Sequence, residues 1–345
     1  MGVLMQLNPF YMFSRSVAID LGTVNTLIAV KGRGITVREP SAVAVTADEN
    51  REVIACGNEA LRMAGRTPGG VNIVWPLRDG VIADYAMTAE MLKRFLEMAF
   101  GRKNGALGAR LAMCLPLCVT GVERRALEEA AKAVGARDVL LIDEPLAAAI
   151  GAQLPVFEPV GSIVMDIGGG TTDIAVISLG GIASSLSLRT GGRHIDSAIS
   201  EYVAKTYQLS LGERTAEEVK LTLAMALPGG MERMQVRGRS LETGLPMRSV
   251  LNAGEISHAI APVIRKLTDA VRRVLSETPP ELASDLMDNG LTLTGGGALM
   301  PGLDKLLAHE TGLNVFVAKE PLDCVALGAL SIIGNREGAG AEEYA

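Results

Sequence analysis

The sequence predicts an α/β chain built as two similar domains that face each other. Three observations carry this. The stretch Ser162-Ile163-Val164-Met165-Asp166-Ile167-Gly168-Gly169-Gly170-Thr171-Thr172-Asp173-Ile174-Ala175-Val176 reads as an apolar strand, a carboxylate, a glycine turn with hydroxyls and a second apolar strand. Ser16-Val17-Ala18-Ile19-Asp20-Leu21-Gly22-Thr23-Val24-Asn25-Thr26-Leu27-Ile28-Ala29-Val30 repeats that shape near the start of the chain. Residues after each turn are β-branched and alternate, so each unit reads as a tight β-hairpin and not as a strand running into a helix. Internal repetition of this kind is a fold-level signal. The third observation is length: 345 residues are too many for one simple core and suit two domains.

Strands and helices alternate in both halves, which is why the class is α/β. After the first hairpin, residues 32–45 continue as alternating strand with a turn at Glu39-Pro40, in a small strand-rich subdomain reaching about Ala64. Trp75 to Ala83 returns to the core. Thr88 to Phe100 is a helix, because Met91, Leu92, Phe95, Leu96 and Ala99 fall on one face. Leu111 to Val119 is a buried strand, residues 121–134 a helix ending at Gly135, and residues 139–142 a strand running into Asp143-Glu144-Pro145 and a crossing helix. Beyond the second hairpin, the turn Gly191-Gly192 feeds a helix to about Tyr207, and Thr215 to Ala226 is a helix with Thr215 and Glu218 at capping-box spacing. Residues 234–239 and 247–251 read as strands of a second small subdomain, residues 254–275 as a long amphipathic helix, and residues 291–294 as a last strand before a glycine turn.

Composition narrows the function classes. Hydrophobic residues are 48% of the chain and charged ones 21%, with a net charge of −6 and no basic run, so nucleic acid is not an expected partner. The four cysteines, Cys56, Cys114, Cys118 and Cys324, and the three histidines are too scattered for a zinc site, and free thiols in a reducing compartment are expected. No apolar run is long enough to span a bilayer. Met1 to Phe13 is nonetheless apolar and uncharged, and its first cation, Arg15, comes too late for the basic start of a secretory leader. Two readings stand for it: a tail without fixed structure and a short membrane-surface anchor.

The hairpins also suggest chemistry. Glycines let backbone N–H groups approach a polyanion, hydroxyls add donors, and a carboxylate at a strand end can hold magnesium, usually through water. Together with Pro76-Leu77-Arg78-Asp79-Gly80-Val81-Ile82-Ala83-Asp84, Val122-Glu123-Arg124-Arg125, Glu144-Pro145-Leu146-Ala147-Ala148-Ala149-Ile150-Gly151, Val236-Arg237-Gly238-Arg239, Leu293-Thr294-Gly295-Gly296-Gly297-Ala298-Leu299 and Cys324-Val325-Ala326-Leu327-Gly328, they make a specific ordered set. The set resembles the actin, sugar kinase and Hsp70 ATPase superfamily and, within it, the MreB family of bacterial actins, from about Ser16 to Gly334.

The resemblance implies an actin-like (ribonuclease H-like) duplicated fold closing on ATP or ADP with Mg2+. It implies a first domain over residues 14–145, with a small subdomain at about 33–69 and a contribution from a C-terminal helix at about 322–335. The second domain covers 146–321, with a small subdomain at about 181–250, and 336–345 is an acidic tail. Phosphates would be cradled by Gly22, Thr23, Val24 and Asn25 on one side and by Gly168, Gly169, Gly170, Thr171, Thr172 and Gly192 on the other. Asp20 and Asp166 would hold the hydrated magnesium, and Glu144 would orient the attacking water, with Asp143 as an alternative partner. Glu217 and Lys220 would bracket ribose and base, although read alone they are an i, i+3 ion pair. Gly295, Gly296, Gly297, Ala298 and Leu299 would close over adenosine. Val24, Asp143, Asp173 and the pair Arg193-His194 depart from the family's usual residues.

The implied function is an ATPase whose slow hydrolysis times a filament. Head-to-tail subunits, paired and antiparallel, would lie on the cytoplasmic face of the cell membrane and guide cell-wall synthesis with membrane-embedded partners. Apolar residues of Met1 to Phe13, or of the Phe100–Leu107 turn, would supply the lipid contact. The alternatives are a specialised cytoskeletal paralogue and a small-molecule kinase of the same fold; no segment suggests a sugar site. A chaperone reading expects a peptide-binding domain after the nucleotide fold, and the acidic Gly/Ala tail does not read as one.

Overall fold

A computed structural model describes residues 15–67, 69–101 and 107–335. The expectations for Met1–Phe13, for the tail 336–345 and for most of the Phe100–Leu107 turn therefore fall outside the described residues.

Two five-stranded sheets share one topology. In the first, Ser16–Leu21, Asn25–Val30 and Gly34–Pro40 form an antiparallel meander, and Arg110–Leu115 then Asp138–Asp143 extend it in parallel from the Ser16–Leu21 side. In the second, Ser162–Ile167, Thr172–Ser178 and Gly181–Leu188 form the meander, with Leu291–Thr294 and Val315–Val317 as the parallel extension. The parallel additions need helical crossovers, and Tyr85–Phe100, Gly121–Ala133 and Ala253–Glu277 lie between strands accordingly.

Two small sheets complete the halves: Val53–Cys56, Val43–Thr46 and Val71–Val74 in the first, and Leu209–Ser210, Arg233–Ser240 and Pro246–Asn252 in the second. Each begins later than expected. Gly34–Pro40 and Gly181–Leu188, placed by the sequence in the small subdomains, pair instead with the hairpin strands, because a tight turn folds each straight back onto its neighbour.

The strands alternate faces as period two requires. Val17 and Ile19 point into the first half's core with Met91, Phe95 and Leu111. Met165 and Ile174 point into the second half's core with Ile199, Ile260 and Leu293. The opposite faces, through Ala18, Ala29, Ala112, Val164, Ala175 and Ile177, meet a third core built on Ala147, Ala148, Ala149, Val325, Ala326 and Ala329. That core belongs to two helices between the sheets, Glu144–Gly151 and Cys324–Asn335. They cross backbone to backbone: a Cβ on Gly151 would lie 1.9 Å from the Cys324 carbonyl oxygen, and one on Gly328 1.9 Å from that of Ala147. No helix among the described residues is long and apolar enough to cross a membrane.

Candidate functional site

The hairpin turns are built by the register of their strands. Asp20 lies opposite Leu27, and Asp166 opposite Asp173, so each aspartate stands at the last rungs before its turn. The first turn is braced from outside: the Ser41 hydroxyl donates to the Gly22 carbonyl at 2.6 Å and its N–H to that of Val24 at 2.8 Å. The second turn is closed by the Gly168 N–H on the Thr171 carbonyl at 2.9 Å. The turns then face each other directly. A Cβ on Gly169 would sit 2.2 Å from Val24 Cγ2, and one on Gly170 would sit 2.6 Å from the Thr23 hydroxyl and 2.8 Å from Asp79 Cα. Close approach, not an unusual φ, is what demands glycine there.

Between the turns lies a cleft of about 310 Å³. Its polar wall is Asp20, Gly22, Thr23, Val24, Asn25, Glu144, Asp166, Gly168, Gly169, Gly170, Thr171, Gly192, Glu217 and Lys220, and the turn Gly295, Gly296, Gly297 with Leu299 closes one end. Two expected residues do not line it. Thr172 is fully buried and donates its hydroxyl to the Thr190 carbonyl at 2.7 Å, because the strand's alternation turns it away from the cleft. Ala298 is buried in the second half's core, on the inner side of the 3-10 turn Gly296–Leu299. Glu217 and Lys220 do not pair: Lys220 is held by Asp196 at 3.0 Å, while Glu217 faces the cleft. Their helix runs Glu213–Leu223 with Gly212 as its N-cap, so Thr215 does not cap it.

The cleft concentrates negative charge. Burial, reinforced by the charge of Asp166, pushes the Asp20 carboxyl up to about 7. Burial pushes Asp166 to about 6 against the Thr294 hydroxyl, which donates to Asp166 Oδ1 at 2.7 Å and favours the anion. Asp173 rises to about 7 through burial, with the Leu117 N–H on its Oδ1 at 2.9 Å pulling the other way. Glu144 is lifted well above the carboxylate range, first by burial and then by Asp173, Asp20 and Asp166. It opens the Glu144–Gly151 helix, with Pro145 fixing the first turn. Asp143 points elsewhere and pairs with Arg124 at 3.1 Å, so it is not a substitute for Glu144.

Oxygen-only donors and mutually repelling carboxylates suit a hard divalent cation. Among the described residues no three ligand-type side chains converge on one point. Asp20 and Asp166, one from each half, are the residues that would hold such an ion, mostly through its water. The rest of the lining is mostly apolar, with Leu21, Ile195, Leu221, Ala224, Met300, Pro321, Leu322 and Val325. These residues come from several distant segments, and in sequence each looks like ordinary core. Gly80, also on the wall, did have a signal in the motif Arg78-Asp79-Gly80, and its N–H donates to the Thr23 hydroxyl at 2.9 Å.

Comparison with known proteins agrees with this geometry. The sequence is 49% identical over 321 residues, 92% of each chain, to the cell shape-determining protein MreB of Escherichia coli (strain K12). It is 45% identical over 327 residues, 94% of this chain and 98% of the relative, to the cell shape-determining protein Mbl of Bacillus subtilis (strain 168). Among solved structures, MreB5 of Spiroplasma citri bound to AMPPNP matches with a TM-score of 0.88 at 36% identity, over 94% of this chain and 96% of that one. The MreB/Mbl protein family matches residues 14–339, a span that takes in both hairpins, the Glu144 helix and the Gly295–Gly297 turn, and the chain belongs to that family.

Proposed function

We propose that this chain is an actin-like cytoskeletal ATPase that assembles into membrane-bound filaments and organises cell-wall synthesis to maintain cell shape. The observation that carries the reading is the pair of glycine turns, one from each sheet, apposed across a single acid-lined cleft. Similarity to cell shape-determining relatives and to MreB5 bound to AMPPNP supports it.

In this reading the turn N–H groups of Gly22, Gly169 and Gly170 take the phosphates, and the apolar lining takes the base. Magnesium supplies charge neutralisation of the phosphates when bound. Asp20 and Asp166 approach it from opposite halves, so ligand binding draws the halves together. Glu144 would orient water towards the terminal phosphate, and a cation held by Asp20 and Asp166 would offset the carboxylates that raise it and so favour its anion. Contacts between unlike faces of successive subunits then give an open filament, paired and antiparallel, that does not close into a ring.

Membrane attachment on the cytoplasmic face draws on the described margins of the two apolar stretches. Of the described residues at those margins, the Arg15 guanidinium lies 5.0 Å from the Phe100 ring centroid, and Leu107 is 73% exposed. A few inserted side chains at about 1.5–3 kcal/mol each are marginal for one subunit, and a filament multiplies them.

The test is sedimentation with ATP, ADP or no nucleotide, with and without liposomes, for the wild type and Glu144→Ala. We expect ATP-dependent pelleting that liposomes enhance, and longer-lived polymer in the variant. Absence of polymer throughout, with rapid ATP turnover on adding a sugar, would overturn this in favour of a kinase.

A further inference from the structure

Trp75 and Arg193 make a side-chain contact between the two halves. Trp75 is the chain's single tryptophan and follows the Val71–Val74 strand of the first small sheet. There it packs against Ala42, Ala44, Ala55 and Ala60. Arg193 belongs to the other half, as the second residue of the Gly192–Tyr207 helix. Its guanidinium carbon lies 4.4 Å from the centroid of the Trp75 ring.

Both residues are anchored at the turns. The Arg193 N–H donates to the Gly169 carbonyl at 2.8 Å, and the Gly192 N–H to that of Gly168 at 3.0 Å. Past Trp75 the chain runs to Asp79, whose backbone abuts Gly170, and to Gly80, whose N–H holds the Thr23 hydroxyl. One arginine thus joins the second glycine turn, through its main chain, to the first half, through its side chain. Burial lowers the pKa of its half-buried guanidinium, and the carboxylates of Glu213, Asp196, Glu217 and Asp79 oppose that shift; arginine stays charged throughout. The indole face is where a partly desolvated guanidinium gains most.

We propose that Arg193 and Trp75 are a positioning pair that latches the two halves over the bound nucleotide and slows its release, without touching the nucleotide. The proposal rests on the nucleotide reading of the cleft. A nucleotide gripped by both turns leaves only when the halves part, and parting them breaks the stacked pair. A cation–π contact of this kind corresponds to about a 2- to 30-fold change in rate.

The test uses the full chain loaded with a fluorescent ATP analogue and Mg2+, chased with excess ATP in a stopped-flow instrument. Arg193→Ala and Trp75→Ala should each speed release by that factor, with unchanged circular dichroism. The double variant should release no faster than the quicker single one, as two ends of one contact require. Arg193→Lys and Trp75→Phe, which keep a cation or a ring, should restore part of the delay. Tryptophan emission, coming from Trp75 alone, should change in Arg193→Ala before any ligand is added. Release at the wild-type rate from Arg193→Ala, or additive effects in the double variant, would overturn the latch while leaving the nucleotide site standing. Failure of the wild type to bind the analogue would overturn the nucleotide reading, and the latch with it.

Discussion

Asp20 and Asp166 bring charge from separate halves of the chain into one cleft, with native-state pKa values near 7 and 6. A carboxyl raised in this way binds more protons when folded than when unfolded, so its contribution to stability is lost as pH climbs from the ordinary range, about 4, to the raised value. Without divalent cation, thermal melts should therefore show the wild type losing stability relative to Asp20→Asn between pH 5 and pH 7.5, the interval in which the raised carboxyl ionises. Magnesium with nucleotide should recover it at the higher pH in the wild type alone. The expected gap is at least about 2 °C in Tm, and parallel curves for the two proteins would count against the shared cation. The aspartates and glycines of the two hairpins were legible in the sequence because the Asp-x-Gly turn repeats, whereas Glu144 and the Gly295–Gly297 turn came from the family resemblance. Thr172 was misread because adjacent hydroxyls on a strand point to opposite sides, and only the pairing register says which one faces the cleft.

Among the elements, the two helices between the sheets carry the tightest constraint. A methyl on Gly328 would collide with the Ala147 carbonyl oxygen and the Gly151 nitrogen, backbone atoms that have no rotamer to retreat into. Gly328→Ala should cost about 1–3 kcal/mol in urea denaturation. Gly121→Ala, where a Cβ would meet open space at a helix start, should stay within about 0.5 kcal/mol. Equal effects would mean that the crossing tolerates separation. Helix existence was easy to read from apolar periodicity, and helix starts were not. The Thr215–Glu218 spacing matched a capping box by composition, whereas the boxes formed are Thr120 with Glu123 and Asn252 with Glu255. The edges of the small subdomains slipped for a related reason: an alternating strand looks the same whichever sheet it joins.

At the scale of the whole molecule, the expected actin-like duplication is present in full: two sheets of identical strand order, each with a small sheet attached. The halves are not independent bodies on a string, because a third core takes side chains from both sheets and from the helices between them. Calorimetry should accordingly give one unfolding transition, shifted upward by about 2.7 kcal/mol at a nucleotide concentration 100-fold above Kd. Two separated peaks would show that the shared core does not couple the halves. The cleft's apolar lining and the Trp75–Arg193 contact escaped sequence reading because they join residues that only the tertiary fold brings together.

The backbone contact of Gly151 with Cys324 and of Gly328 with Ala147 has a mechanical consequence. With no side chains to act as a cushion, the helices cannot slide apart at that point, and relative movement is left to rotation about it. Were the halves to tilt, the contact would act as a fulcrum with each half an arm. A small tilt there would be magnified at the distal rims, where neighbouring subunits of a filament would meet. Filament geometry would then follow from leverage, with an ångström-scale change at the phosphates read out as a far larger displacement at the subunit ends.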